Sequence, residues 1–190
     1  MLLPKNGGGG MSARKILAFY SPYPGAGKTT AQKCILFSNG VRRCSFATPI
    51  REIVSSLFSQ VDIHYPGNFK DTPLSDIPGR RTIRDFLIAF GQAGRSVWPD
   101  IWGEILRQEI REASEGIVVV DDLRMPNEYA MLREEGAKIV RITVPGRTVV
   151  PSETEGRLEG YAFDAELENM MDGLRPFYGK VWGLVEELWA

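Results

Sequence analysis

Residues 15–30 read KILAFYSPYPGAGKTT, which is a short apolar run, a loop with two glycines and the start of a helical pattern. The run KILAFY predicts a buried strand, because short apolar runs bounded by turn residues are typical of parallel sheets. The pattern from residue 28 to residue 38 predicts a helix. A strand, a glycine loop and a helix in this order predict an α/β domain built on a parallel sheet.

The loop PGAGKTT at residues 24–30 carries groups suited to binding phosphate. Gly25 and Gly27 allow the backbone to turn so that its N–H groups point at anionic oxygens. Lys28 supplies a positive charge, and the Thr29 hydroxyl is suited to Mg²⁺. The predicted ATP-binding residues are Gly25, Ala26, Gly27, Lys28, Thr29 and Thr30. The usual pattern has a further glycine where this chain has Pro22, which fixes φ at the start of the loop.

The remaining segments alternate between strand and helix patterns. Further strands are predicted at residues 41–47, 117–120, 138–144 and 161–169. Further helices are predicted at residues 50–58, 82–94, 99–113, 126–135 and 175–189, with Thr48 as the N-cap of the first. Strands separated by helices indicate one parallel sheet flanked by helices.

The domain organisation follows from where strand patterns are missing. Residues 1–13, with four consecutive glycines, are predicted to be a flexible leader, and residues 14–190 a single domain. Residues from about 48 to 113 show helical patterns and no strand, so they are predicted to be a helical insertion. The polar stretch from about 145 to 160 is interpreted as a lid over the phosphates, with an ordinary exposed loop as the alternative. Arg147 or Arg157 would then neutralise developing charge.

Two acids, Asp121 and Asp122, follow the apolar strand predicted at residues 117–120. An acid at the carboxyl end of a parallel strand faces the ligand crevice. We assign Asp121 to Mg²⁺ through its water shell and Asp122 to catalysis, while the reverse assignment stays open. Arg124 could pair with a phosphate or with Glu128. A solvated pair of turn acids is the alternative.

The insertion reads TIRDFLIAFGQAGRSVWPDIW at residues 82–102. Arg84, Gln92 and Arg95 fall along roughly one side of a helix. A guanidinium binds phosphate bidentately, which makes these arginines candidates for the phosphate of an acceptor. Arg51 on the preceding helix is a further candidate, against the alternative of a surface arginine.

Aromatic and amide groups in the same segment are suited to a nucleobase. Trp98 or Trp102 could stack on a base, and Gln92 could hydrogen-bond its edge. The alternative is that the tryptophans belong to the core.

The composition narrows the class of protein. The 190 residues carry a net charge of −1, with 43% hydrophobic and 25% charged residues, so there is no basic footprint for a nucleic acid polymer. No apolar run approaches the ~20 residues that span a bilayer, and no secretory signal is recognisable, so no membrane partner and a cytoplasmic location are expected. Cys34 and Cys44 are too few for a disulfide framework and are predicted to be buried and reduced.

Taken together, several segments resemble the deoxynucleoside monophosphate kinases encoded by bacteriophages. The matching segments are PGAGKTT, FATPIREIVSSLF, TIRDFLIAFGQAGRSVWPDIW, VVVDDLRMPNE, GAKIVRI and SETEGRLEGYAFDAELEN. They follow in family order over most of residues 15–189. The insertion segment and DDLRMPNE are the more specific ones, since the phosphate loop alone identifies only a superfamily. A departure is the last strand, DAELEN, which is more acidic than expected.

The resemblance implies a P-loop kinase fold with a five-stranded parallel sheet, a helical NMP-binding insertion and a short lid. It implies transfer of the γ-phosphoryl group of ATP to a deoxynucleoside monophosphate with Mg²⁺, in the host cytoplasm if the protein is phage-encoded. The predicted catalytic residues are Lys28, Arg95, Asp122 and Arg124. The predicted substrate-binding residues are Arg51, Arg84, Gln92, Arg95, Trp98, Glu128 and Glu153. A homodimer is compatible with the sequence.

Two alternatives remain open at the level of the sequence. One is another small-molecule kinase with a phosphate loop, resembling dephospho-CoA kinase or phosphomevalonate kinase; an acceptor such as phosphomevalonate would give Gln92 and Trp98 no base to recognise. The other is a nucleotide-dependent switch or regulatory module. Switch GTPases read guanine with an Asn/Thr-Lys-x-Asp element, and no such tetrapeptide occurs in this chain.

Overall fold

The computed structural model describes residues 14–58, 71, 73–74, 79, 81–113, 116–149 and 156–190. Strands and helices alternate along these residues. The strands are β1 Lys15–Tyr20, β2 Val41–Cys44, β3 Ile117–Val120, β4 Lys138–Thr143 and β5 Ala165–Glu168. The helices are α1 Lys28–Leu36, α2 Thr48–Leu57, α3 Ile83–Val97, α4 Ile101–Glu112, α5 Pro126–Glu134 and α6 Leu174–Leu188.

The strands form one five-stranded sheet in the order β2-β3-β1-β4-β5. Every neighbouring pair is parallel; for example, Ala18 of β1 lies opposite Val120 of β3 and Ile139 of β4. The predicted α/β class with a five-stranded parallel sheet is confirmed. Because β1 and β3 are neighbours in register, the loop after β1 and the acids after β3 emerge at the same edge of the sheet.

The sheet is covered on both faces, as continuous apolar runs in a parallel sheet require. One face carries Leu17, Val119 and Val140, which belong to a buried cluster with residues of α1 and α6. Residues of opposite parity, such as Ile16 and Val118, are buried as well. The central strands are therefore rigid supports for the loops at their carboxyl ends.

Two strands are shorter than the sequence predicts. β2 ends at Cys44 and not at residue 47, because the chain turns into α2, whose N-cap is Ala47 and not Thr48. β5 begins at Ala165 and not at residue 161, because the Asp164 side chain, and not a backbone carbonyl, accepts the hydrogen bond from the Ile139 N–H. β5 lies at an edge of the sheet, where its glutamates are exposed and only Leu167 is buried, which accounts for its acidic sequence.

The described chain divides into two compact units. One comprises the residues up to Ser45 and from Arg107 onward, and it contains the whole sheet. The other is Phe46–Leu106, whose described residues include α2, α3 and the first part of α4; the predicted insertion extends further along the chain, to residue 113. The predicted leader at residues 1–13 lies outside the described residues.

The helical unit has its own small core between α2 and α3. Val54 and Ile83 are fully buried there, and the rings of Phe58 and Phe86 meet edge to face at 4.8 Å between centroids. Thr82 caps α3 in a capping box with Asp85, which fixes where this helix begins.

None of the helices in the described part of the chain has the length and apolar composition to cross a membrane.

Candidate functional site

The phosphate loop joins β1 to α1 and takes its shape from two glycines. Gly25 has φ 68° and Gly27 has φ 103°, both in the left-handed region that favours glycine. Gly27 is the N-cap of α1 and offers it no side chain, so the first N–H groups of the helix and its positive dipole end suit an anion. Pro22 is buried ahead of the turn, and the two positive φ values lie beyond it. The loop thus has the backbone shape that an anion cradle needs.

The residues that follow the turn supply side chains to the same loop. Lys28 is the first residue of α1, and its Nζ donates to the carbonyl of Tyr23 at 3.4 Å. Its ammonium group is therefore held at the loop and not directed to bulk solvent. Thr29 is exposed and Thr30 is half-buried, whereas Ala26 is buried and contributes only its backbone.

Asp121 is the acid that contacts the phosphate-loop helix. Its Oδ2 accepts a hydrogen bond from the Thr29 hydroxyl at 2.7 Å. Its Oδ1 accepts one from Nε2 of Gln32 at 3.0 Å and lies 3.7 Å from the Arg43 guanidinium. The side chain of Asp121 is 5% exposed, so these partners fix its orientation.

Strand alternation explains why Asp121 meets Thr29. Val119 belongs to the cluster beneath α1, and a residue two positions further along an extended chain points to the same face. Asp121 therefore faces α1. Asp122 makes a different contact, in which its Oδ2 accepts from the Ser45 hydroxyl at 2.6 Å.

Glu128 holds the segment that follows these acids. Its buried carboxylate accepts from the backbone N–H groups of Arg124 and Met125, each at 3.0 Å. These bonds cap the start of α5, and the substrate-binding role predicted for Glu128 stays a prediction. Arg124 is half-buried beside it, and its backbone is fixed by this bond.

The predicted lid begins in direct contact with the phosphate loop. The Tyr23 hydroxyl donates to the Arg147 carbonyl at 3.0 Å, and the Arg147 guanidinium donates to the Pro24 carbonyl at 2.9 Å. Arg157 is exposed, and the neighbouring Leu158 is fully buried. Residues 150–155, including Glu153, lie outside the described residues.

Three residues at this site were missed by sequence reasoning, namely Gln32, Arg43 and Asn169. Gln32 and Arg43 lie beside Asp121, and Nδ2 of Asn169 donates to the Ala26 carbonyl of the phosphate loop at 2.9 Å. The spacing of Gln32 from Thr29, one turn of a helix, was a signal for the first. For Arg43 and Asn169 the sequence carries no signal, because their contacts depend on which strands are neighbours.

The helical unit carries the other predicted substrate-side residues. Along α3, Arg84 and Gln92 are exposed, and Arg95 is half-buried beside Gly91. Trp98 ends the helix and is 49% exposed, while Arg51 on α2 is half-buried. All of these side chains therefore belong to α2, to α3 or to the C-cap of α3.

Trp102, the other candidate for base stacking, belongs to the core of the helical unit. It is 5% exposed, and its Nε1 donates to the Gly91 carbonyl at 3.0 Å. The ring also packs on α3 at Gly94, where an added Cβ would lie 2.4 Å from it. Trp102 therefore positions α4 against α3, and Trp98 is the tryptophan of this segment with an accessible face.

Arg84 forms an ion pair with Asp71 that offers a test of its role. Two guanidinium nitrogens bind the carboxylate, one of them at 3.0 Å, and this bonding raises the pKa of Arg84. Both side chains are about half exposed, at 55% and 51%, so the pair should contribute less than about 1 kcal/mol to the free energy of unfolding.

We expect Asp71→Asn and Arg84→Ala each to change the free energy of unfolding, measured in urea, by less than about 1 kcal/mol. If Arg84 binds an acceptor phosphate, Arg84→Ala should raise the KM of the acceptor, whereas Asp71→Asn, which frees the guanidinium, should not. Equal acceptor KM values in the two variants would show that Arg84 does not bind the acceptor.

Both cysteines are buried and free, as predicted. Burial raises the pKa of the Cys34 thiol to about 11 and that of the Cys44 thiol to about 12. The thiols therefore stay protonated at neutral pH and supply no thiolate nucleophile. Cys34 packs in the cluster beneath α1 as a small apolar residue.

Comparison with known proteins gives matches among solved structures alone. The sequence matches no family model and no curated protein. Among the solved structures that match this chain, two have a sequence identity of 15% and a TM-score of 0.46 each. One is a tunicamycin resistance protein of Deinococcus radiodurans, with 90% of this chain and 95% of that chain covered. The other is a dephospho-CoA kinase from Campylobacter jejuni, with 92% and 97% covered.

Proposed function

We propose that this protein is an ATP- and Mg²⁺-dependent kinase that phosphorylates a small molecule. The observation that carries the proposal is the 2.7 Å hydrogen bond between Thr29 on the phosphate-loop helix and Asp121 after β3. In P-loop NTPases a hydroxyl and an acid at these positions hold Mg²⁺ beside the phosphates. A glycine-rich turn without a ligand would not need this pair.

The residues at the loop fit the two groups that such a reaction requires. The left-handed glycines, the uncapped start of α1 and the ammonium of Lys28 suit the phosphates of ATP. The oxygens of Thr29 and Asp121 are the donor type that Mg²⁺ prefers, and one or two protein ligands suffice because the phosphates supply others. When bound, Mg²⁺ neutralises charge on the phosphates. Among the described residues there is no cluster of three or more His, Cys, Asp or Glu side chains that could hold a metal.

We assign the remaining roles by position. Lys28 would stabilise negative charge on the terminal phosphates, and Asp122 would orient the acceptor oxygen. Arg124 and Arg95 would neutralise the charge that develops during transfer. In this scheme the protein contributes position and electrostatics and forms no covalent intermediate.

As the acceptor we propose a deoxynucleoside monophosphate. The support is the resemblance of residues 82–102 and of DDLRMPNE to the phage enzymes, together with the groups carried by α2 and α3. Arg51 and Arg95 offer cations for a phosphate, while Gln92 and the accessible ring of Trp98 suit a base. Dephospho-CoA and phosphomevalonate are the competing acceptors. Phosphomevalonate would leave Gln92 and Trp98 without a partner, whereas dephospho-CoA carries an adenine that they could contact, so the assay decides between it and a deoxynucleoside monophosphate.

A coupled assay of ADP release tests the proposal. The acceptors are the four deoxynucleoside monophosphates, their ribose counterparts, mevalonate phosphate and dephospho-CoA. Turnover with one or more deoxynucleoside monophosphates is the expected result. Turnover of mevalonate phosphate or dephospho-CoA alone would overturn the proposed acceptor but not the kinase activity. Nucleotide binding without turnover of any acceptor would favour a switch or regulatory module.

Thr29→Val tests the metal-binding pair directly. The change keeps the shape of the side chain but removes the oxygen offered to Mg²⁺ and to Asp121. We expect the Mg²⁺ concentration for half-maximal turnover to rise on the order of 10–100-fold, a range typical when the partners of a metal site are lost. Thr29→Ser restores the hydroxyl and should recover most of the metal affinity. Equal Mg²⁺ requirements in the two variants would contradict the role of Thr29.

A further inference from the structure

Asn169, the residue directly after β5, is bound to the phosphate loop from behind. Its backbone N–H donates to the Thr143 carbonyl at 2.9 Å, which fixes the residue to the end of β4. Its side-chain Nδ2 donates to the Ala26 carbonyl at 2.9 Å, and its Oδ1 accepts from the Met171 N–H at 3.0 Å. Because one partner is an acceptor and the other a donor, they set the orientation of the carboxamide, which is 7% exposed.

The bond to Ala26 fixes the direction of one peptide group in the loop. The Ala26 carbonyl and the Gly27 N–H belong to the same peptide unit, which is trans. In a planar trans peptide these two groups point in opposite directions. Asn169 holds the carbonyl, so the Gly27 N–H points away from Asn169.

This peptide group needs such an anchor more than most. Ala26 stands between Gly25 and Gly27, and glycine allows the backbone dihedrals on either side to change at little cost. The contact is also close, because a Cβ added at Gly27 would lie 2.7 Å from Nδ2 of Asn169. A residue larger than glycine would fit at position 27 only if this amide moved.

We propose that Asn169 is a positioning residue that keeps the Ala26–Gly27 peptide turned so that its N–H is available to a phosphate. The proposal rests on the proposed function, in which this loop binds ATP. By this proposal, a residue outside the phosphate-loop sequence, at the end of β5, contributes to ATP binding. Loss of the amide donor should weaken ATP binding, while the binding of the acceptor should be unaffected.

Asn169→Asp separates the two side-chain bonds. Aspartate keeps an oxygen for the Met171 N–H but replaces the donor to Ala26 with an acceptor, which repels the carbonyl. We expect the Kd for ATP·Mg²⁺, measured by isothermal titration calorimetry on the full chain, to rise at least about tenfold. The KM for ATP should rise in parallel, and the KM of the acceptor should stay within about twofold, as for a residue that acts on the loop alone.

Asp164→Asn is the matched control, because Asp164 lies at the other end of the same strand. Its carboxylate accepts from the Ile139 N–H at 2.8 Å and pairs with Lys138 at 3.2 Å, so its loss should destabilise β5 without touching the loop. We expect a lower Tm and an unchanged Kd for ATP. If both variants lose ATP affinity in proportion to their Tm, Asn169 acts only through stability and the inference is wrong.

The remaining outcomes separate this inference from the proposed function. Wild-type protein that does not bind ATP would overturn the proposed function. Wild-type affinity in Asn169→Asp would overturn the inference alone. If Asn169→Asp does not fold, Asn169→Ser removes the carboxamide without adding a charge, and the same comparison of Kd values with wild type decides the matter.

Discussion

Replacing Lys28 by alanine should reduce turnover by about three orders of magnitude and leave the fold intact. The ammonium group is held at the loop by the Tyr23 carbonyl, 3.4 Å from Nζ, where it would meet the terminal phosphates of ATP. Removal of one preorganised group that stabilises transition-state charge costs about 10²–10³-fold in kcat, and loss of a full positive charge lies at the upper end. Steady-state kinetics with saturating ATP and acceptor provide the measurement.

Lys33→Ala is the control, because Lys33 lies further along the same helix and is exposed. Lys33→Ala should retain the wild-type kcat. The free energy of unfolding of both variants should lie within about 1 kcal/mol of the wild-type value, as is usual for substitutions outside the core. Turnover of Lys28→Ala close to that of wild type would remove the phosphate loop from the proposed function. A large loss in both variants would point to a general effect on α1.

The sheet could be predicted from the sequence to a large extent, because its strands are short apolar runs separated by helical patterns. β1, β3 and β4 are found within one residue of their predicted ends. The order of the strands could not be predicted, since periodicity shows that a segment is buried but not which strand lies beside it. The ends of β2 and β5 were misplaced for a related reason. The N-cap of α2 at Ala47 sets the end of β2, and the side chain of Asp164 sets the start of β5. Neither contact is part of the apolar periodicity that predicts a strand.

The same distinction explains the candidate site. The phosphate loop is local, so PGAGKTT was sufficient to place its glycines and Lys28. Asp121 and Asp122 were both predicted at the site. Which of them reaches Thr29 depends on the face of the sheet that α1 covers: Val119 packs beneath α1, and Asp121 lies two residues further on the same face. The contacts of Glu128, in contrast, are local in sequence, because its carboxylate caps α5 through two backbone N–H groups. An acid at the third position of a helix is a sequence signal for such a cap.

Contacts between distant parts of the chain were beyond prediction. The bond from Asn169 to Ala26 joins residues separated by most of the sequence, and it depends on β4 lying between β1 and β5. The acidic strand before Asn169 was noted in the sequence as a departure from the family. The structure places this strand at an exposed edge of the sheet, and Asn169, the polar residue that follows it, contacts the phosphate loop.

Gly27→Ala should abolish measurable ATP binding and lower the free energy of unfolding by about 2–5 kcal/mol. The backbone at Gly27 has φ 103°, and a non-glycine residue in the left-handed region costs about 1–2 kcal/mol. The new Cβ would also lie 2.7 Å from Nδ2 of Asn169 and 3.2 Å from the Phe177 ring, and overpacking of this kind costs about 1–3 kcal/mol. Relief of the clash would move the amide that holds the Ala26 carbonyl, so the loop would lose both its shape and its anchor.

Gly25→Ala separates the two causes, because Gly25 shares the left-handed backbone but not the crowding. Its φ is 68°, and an added Cβ would meet no atom within 4 Å. We expect a cost of about 1–2 kcal/mol in urea unfolding, which is the conformational part alone. ATP binding in Gly25→Ala should be weakened but measurable by calorimetry. If the two variants were equally destabilised and bound ATP equally well, the close approach of Asn169 to Gly27 would have no energetic consequence, and the left-handed backbone would account for both.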